Sequence, residues 1–118
     1  MSLTSLTRIS ILYPNKAGAR FDFDHYTKVH MPMAVDLLST HPEYRGVTVE
    51  RAVSGMEANT PPAFTAMCHF LFTSAEAFLE AFVPNAAALQ GDMPNYTDIE
   101  PIIQFGQVAF SNVASKSA

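Results

Sequence analysis

Apolar runs of strand length alternate along the chain with stripes of helical spacing, and their order predicts the architecture. Leu6 to Tyr13 (LTRISILY) is a β-branched and apolar run closed by Pro14 and followed by the turn-rich NKAGAR, which predicts a first strand. The segment FDFDHYTKVHMPMAVDLL, Phe21 to Leu38, has helical periodicity. At about 100° per residue, Phe23, Tyr26, His30, Met33 and Leu37 share roughly one quarter of the circumference, while Asp24, Lys28 and Asp36 point elsewhere. Asp22 supplies an N-cap acceptor, and Asp24 lies in the first turn, where the helix dipole favours anions. Pro32 has no N–H for the carbonyl of Lys28, and its ring crowds that turn. The helix therefore kinks near His30, or a second helical stretch begins at Pro32.

Beyond His41-Pro42, GVTVERAVS (Gly46 to Ser54) sets Val47, Val49 and Arg51 against Thr48 and Glu50, a strand with one wetter face. GMEANTPPA is a loop, stopped by Pro61-Pro62. FTAMCHFLF (Phe64 to Phe72) is apolar on both parities, as expected of a strand covered on both sides. Thr73, Ser74 and Glu76 form a cap, Thr73 and Glu76 with capping-box spacing, ahead of AEAFLEAF, a helix with Phe78 and Phe82 on one face and Pro84 at its end. The alanine-rich NAAALQG adds a short helical turn before the loop DMPNYTD. The last strand, IIQFGQVAF (Ile102 to Phe110), follows Pro101. The order βαββαβ predicts an α+β fold, an antiparallel sheet with both helices on one face. The other face also carries apolar residues, so a second subunit is expected to cover it, giving a homodimer.

At 118 residues the chain is read as one domain, 1–118, with little to spare for an enclosed pocket. A net charge of −4, with its basic residues scattered, argues against nucleic acid as a partner. Cys68 is the sole cysteine and lies in an apolar run, so neither a disulfide framework nor a thiolate cluster is expected, and a reducing cytoplasm fits. MSLTSLTRIS has no long apolar stretch and nothing approaches the length of a membrane span, so a soluble, unsecreted protein is expected. There is no Gly-rich phosphate loop, nucleophile elbow or haem-attachment motif. No metal, nucleotide or flavin cofactor is expected.

The chemistry concentrates on Tyr26 and His30. They are i, i+4 neighbours on an otherwise apolar stripe, and an imidazole titrates near neutrality, where it can move protons. The competing reading makes His30 a satisfied core histidine and Tyr26 a packing residue. On an α-helix His25 and His30 stand about 140° apart, which forbids a shared metal. His69 is either a second polar group of a cavity or a satisfied imidazole, depending on which way its strand parity faces. His41 is expected to face solvent. The six Met and nine Phe are mainly core, although some could line a pocket for a planar ligand.

Two segments, FDFDHYTKVHMPMA (Phe21 to Ala34) and DMPNYTDIEPIIQ (Asp92 to Gln104), resemble the EthD family within the dimeric α+β barrel superfamily. The resemblance extends from the first strand to about Phe110. It implies a ferredoxin-like protomer whose sheet packs on that of a second copy, leaving an apolar cavity beside the first helix. The histidine of the H-x-P segment matches His30, and the aromatic four residues earlier matches Tyr26. Asn95, Tyr96 and Asp98 match the second motif, although such a loop is also ordinary turn chemistry.

Family and superfamily relatives include accessory proteins of ether degradation, lactone isomerases, and cyclases, dehydratases or cofactor-free oxygenases of aromatic polyketides. The expectation is a cofactor-independent enzyme acting on a hydrophobic cyclic or aromatic metabolite. His30 is the general acid/base and Tyr26 a hydrogen-bond donor. Ligand contacts are expected from Phe23, Met33, His69, Asn95, Tyr96 and Asp98. The alternative is a non-catalytic binding or accessory protein of an oxidative pathway, and a purely structural dimer stands as a third reading.

Overall fold

The structure is a computed structural model that describes residues 2–114; the domain bounds 1–118 read from the sequence extend beyond these at both ends. Four strands, β1 (Thr7–Pro14), β2 (Tyr44–Arg51), β3 (Phe64–Phe72) and β4 (Ile102–Gln107), form one antiparallel sheet in the order β2-β3-β1-β4. That is the antiparallel α+β sheet expected from the βαββαβ order, with β3 and β1 at its centre. β2 begins two residues before the predicted start, across a bulge at Tyr44/Gly46 where Gly46 has φ +137°, a conformation open to glycine. β4 stops at Gln107, three residues before the predicted end.

The register sorts the side chains. Ile9 pairs with Phe70, Ile11 with Cys68 and Tyr13 with Ala66, so these apolar groups share one face with Val47, Val49, Ile103 and Phe105. That face is closed by the helices, and Ile9, Tyr13, Cys68, Phe70 and Phe72 are buried beneath them. The opposite face carries Ser10, Leu12, Thr48, Glu50, Met67, His69 and Leu71.

The helical segment after β1 is three pieces run together: α1 (Phe23–His25), a π-helical turn (Tyr26–His30) and α2 (Met31–Leu38). Asp22 caps α1, its carboxylate accepting from the His25 N–H at 3.1 Å. At the π turn the Met31 N–H donates to the Tyr26 carbonyl, five residues back. Pro32 sits in the first turn of α2, where its missing N–H costs no bond. The second helical stretch expected to begin at Pro32 begins at Met31 instead and is continuous with the turn before it, through an inserted residue rather than a break.

The insertion advances every downstream position by one. An uninterrupted α-helix would continue the stripe from His30 through Met33 and Leu37; the buried residues are instead Met31, Ala34 and Leu38. The expectation for Met33 is thereby corrected: it packs at the margin of the core.

The second helical region comprises α3 (Ala75–Phe82) and α4 (Ala86–Asp92), separated by a 3-10 turn at Val83–Asn85 that contains Pro84. Its cap is Ser74, whose Oγ accepts from the Ala77 N–H at 3.1 Å. The capping box read at Thr73 is not formed, because the Thr73 hydroxyl donates to Glu43 Oε2 at 2.9 Å. α3 buries Ala77, Phe78 and Ala81, and a last 3-10 turn (Met93–Asn95) leads from α4 toward β4.

Candidate active site

A cavity of about 380 Å³ lies between the inner sheet face and the helices, within the size range of small-molecule sites. Its floor is Ile11 and Tyr13 of β1, Cys68 and Phe70 of β3 and Ile103 of β4. Tyr26 and His30 of the π turn, with Met31, Ala34 and Leu38 of α2, make one wall. Phe78 and Phe82 of α3, Leu89 and Gln90 of α4, and Met93, Tyr96, Glu100 and Pro101 of the following segment complete the enclosure.

His30 is the imidazole of this wall, and Asp92, the last residue of α4, stands behind it. The His30 Nδ1 lies 2.8 Å from Asp92 Oδ2. The carboxylate is held on all sides. The Asn95 Nδ2 donates to Oδ1 at 2.9 Å, and His25 Nε2 lies 3.0 and 3.1 Å from Oδ1 and Oδ2. Burial opposes ionisation of Asp92, but the hydrogen bonds from Asn95, His30 and His25 outweigh it, and the carboxyl titrates below its usual range. A carboxylate is acceptor only, so the His30 proton sits on Nδ1 and Nε2 holds the free lone pair. No buried polar side-chain atom among the described residues lacks a partner, and none of those residues hydrogen-bonds to His30 Nε2. Nε2 is therefore the atom open to the cavity. Burial lowers the His30 pKa, only partly offset by its bond to Asp92 and that residue's charge, so the ring is neutral at neutral pH.

The π turn also corrects the angular reading of His25 and His30. Five residues make about one turn of π-helix, so both imidazoles meet the same carboxylate instead of diverging. Among the described residues, no three His, Cys, Asp or Glu side chains converge as a metal-ligand set.

Tyr26 is 1 % exposed, its ring 5.7 Å from His30, 4.8 Å from Tyr96 and 5.0 Å from Phe21 between centroids. Burial raises the pKa of the Tyr26 phenol, so it remains a donor. Burial likewise pushes the neighbouring Cys68 thiol up to about 12, which leaves it without thiolate at neutral pH. Tyr96 is fixed at both ends: its carbonyl accepts from the Asp22 N–H at 2.7 Å and its hydroxyl lies 2.8 Å from that of Tyr13.

Of the residues expected at the site, His30, Tyr26 and Tyr96 line the cavity together. The others do not. His69 lies on the opposite sheet face, its Nδ1 2.8 Å from Ser10 Oγ and its Nε2 3.3 Å from Glu50, the satisfied alternative of its two readings. Phe23 packs on Phe21 with the Arg51 guanidinium 4.6 Å above its ring. Asp98 accepts from the Arg20 N–H at 2.9 Å and so ties the segment before α1 to that after Tyr96. Asn95 reaches the site indirectly, through Asp92. His41, expected in solvent, has a side chain 18 % exposed, with Nε2 2.9 Å from Glu80 Oε1. Asp92 and Tyr13 were missed. The signal for Asp92 was the need of an imidazole base for an acceptor at its second nitrogen; Asp92 opens the second motif.

The EthD domain model matches residues 18–100. An EthD-like protein of Ralstonia eutropha JMP134 is 38% identical and superposes with a TM-score of 0.84, covering 92% of this chain and 96% of that one. An ethyl tert-butyl ether d (EthD) family protein of Bacillus halodurans C-125 is 20% identical, with a TM-score of 0.63 over 86% of this chain and 97% of that one. A hydroxynitrile lyase of Passiflora edulis, 12% identical, has a TM-score of 0.64 over 95% of this chain and all (100%) of that one, a likeness of fold alone. No curated protein matches the chain. The sheet order is that of the ferredoxin-like fold, no helix among the described residues is long and apolar enough to cross a membrane, and the chain belongs to the EthD family.

Proposed function

We propose that the protein is a small cofactor-independent enzyme that moves a proton on a hydrophobic cyclic or aromatic molecule, with His30 as general acid/base and Tyr26 as hydrogen-bond donor. The observation that carries this reading is the His30–Asp92 pair at the cavity wall: with Asp92 2.8 Å from Nδ1, Nε2 is the ring nitrogen left for a ligand in an apolar cavity. A general base needs an unprotonated nitrogen at working pH and a counter-charge for the imidazolium it becomes. Burial supplies the first and Asp92 the second. The apolar walls lower the local dielectric, so a donor such as Tyr26 acts strongly on charge that develops during reaction. Isomerisation, cyclisation, dehydration and cofactor-free oxygenation each have routes in which a positioned acid/base moves a proton. A fold shared with a hydroxynitrile lyase can house an enzyme.

The test is a thermal-shift screen of cyclic and aromatic compounds in deuterated buffer, followed by mass spectrometry of the compounds recovered. Ligands are expected to raise the melting temperature by mass action, and transfer through His30 to leave deuterium in the ligand or a product. Binding with neither outcome would leave a carrier or accessory protein.

A second copy is proposed to cover the sheet face that carries Leu12, Met67, Leu71 and Ile102, the last of them 53% exposed. Sedimentation at micromolar concentration is expected to show a dimer, with an interface near the standard size of about 1,600 Å². A monodisperse monomer would overturn this part of the proposal.

A further inference from the structure

We propose that Tyr13 and Tyr96 together form an oxyanion-binding donor, and that the substrate is a carbonyl compound deprotonated on the carbon next to its carbonyl. The inference rests on His30 as the base and specifies what that base acts on. It starts from hydrogen-bond accounting. A phenol has one proton and accepts through its oxygen. The Tyr13 and Tyr96 hydroxyls lie 2.8 Å apart, at 3 % and 0 % exposure, so one proton is consumed between them and the other remains to be donated. Both residues line the cavity beside Tyr26, whose hydroxyl is a further partner of Tyr13, and a ligand oxygen there gives the remaining proton of the pair an acceptor. A hydroxyl that itself receives a hydrogen bond becomes a stronger donor, and the pair acts as one polarised unit.

A ligand that supplies this acceptor lies within reach of His30. The Tyr96 ring centroid is 4.6 Å from that of His30, so a small planar molecule spans from Nε2 to the hydroxyl pair. Charge complementarity fixes the direction of the chemistry. Asp92 already holds a negative charge on the far side of His30 and accepts its Nδ1–H, which favours proton uptake at Nε2. The substrate consequently gains negative charge, and the tyrosine pair adds a donor for it beside Tyr26. Burial holds both phenols protonated well into the alkaline range, so they donate without becoming acids.

The step balances within the site. His30 Nε2 takes the proton from the carbon beside the carbonyl, and the C–H pair becomes the C=C bond of an enolate. The carbonyl π pair moves to oxygen, which accepts from the tyrosine hydroxyl. Return of the proton from Nε2 to another carbon of the conjugated system yields an isomer and restores the neutral imidazole.

The test uses 4-nitrophenol, whose planar phenolate stands in for the enolate and reports its ionisation by absorbance. Wild-type protein is expected to bind it as the phenolate, with a shifted absorption band. Tyr13→Phe and Tyr96→Phe, each keeping its ring and a cooperative melt, are expected to weaken that binding by on the order of 10-fold or more. If Tyr96→Phe does not fold, Tyr13→Phe removes the other half of the pair and carries the test alone. His30→Gln is expected to abolish deuterium uptake, and Tyr13→Phe to weaken phenolate binding in that background as it does in the wild type. Absence of phenolate binding by the wild type, or equal binding by the folded Phe variants, overturns the oxyanion site. Tyrosine-dependent binding without His30-dependent deuterium uptake leaves the oxyanion site standing and removes the base.

Discussion

His30→Gln is expected to lower turnover of any compound found in the deuterium screen by on the order of 10²–10⁴-fold, while the protein keeps its fold. Glutamine has comparable bulk and can donate to Asp92, but it has no nitrogen that binds and releases a proton near neutrality. The stability change should stay within about 1–2 kcal/mol, since neither a cavity nor an unpaired charge is created. Urea denaturation measures the second quantity independently of any substrate. An unaltered rate would remove His30 from the mechanism, and collapse of the fold would make it a core histidine.

The same variant has a pH signature. Burial lowers the His30 pKa in the folded protein, so the unfolded chain takes up this proton first. Its effect on stability is absent above about 6.5, the ordinary histidine value, and stability is lost as the pH falls from there toward the lowered folded value. Asp92 behaves differently: its folded pKa is depressed, so its contribution is complete above about 3.9 and is lost as the pH falls through the folded value. Wild-type protein should therefore lose stability in two acid steps, and His30→Gln should lack the upper one. The wild-type rate should fall on acidification only below about 6.5, because the base is the neutral ring.

The fold was legible in the sequence because each strand has its own period or run, and because Pro14, Pro61-Pro62 and Pro101 punctuate them. The first helix was legible as far as His30 and wrong beyond it. Helical-wheel reasoning assumes a constant angle per residue, and the π turn inserts one residue, so Met31, Ala34 and Leu38 replace Met33 and Leu37 on the buried face. The signal was Pro32, which removes a donor from the ladder but does not say whether the chain breaks, kinks or widens. That one turn also decides the site, since it brings His25 and His30 to a single carboxylate. Tyr13 was hidden for another reason. On a strand it reads as one more apolar residue, and its hydroxyl meets that of Tyr96, 83 residues further along the chain, only in the folded protein.

Asp92→Asn should be nearly as damaging as loss of the base itself. An amide can turn its NH₂ toward Nδ1, which moves the ring proton to Nε2 and leaves no lone pair facing the cavity. Loss of this kind reaches about 10⁴-fold in catalytic triads, and a fall on the order of 10²–10⁴-fold is expected here. The carboxylate also receives His25 and Asn95, so a stability loss of about 1–3 kcal/mol accompanies it. A pH–rate profile separates the two effects. In the wild type the bond and charge of Asp92 raise the His30 pKa against burial. Without them His30 protonates only at lower pH, and the acid limb of the residual activity should move in that direction. Full turnover with an unmoved limb would reduce Asp92 to a helix-end tether; lost turnover with an unmoved limb would assign its effect to folding.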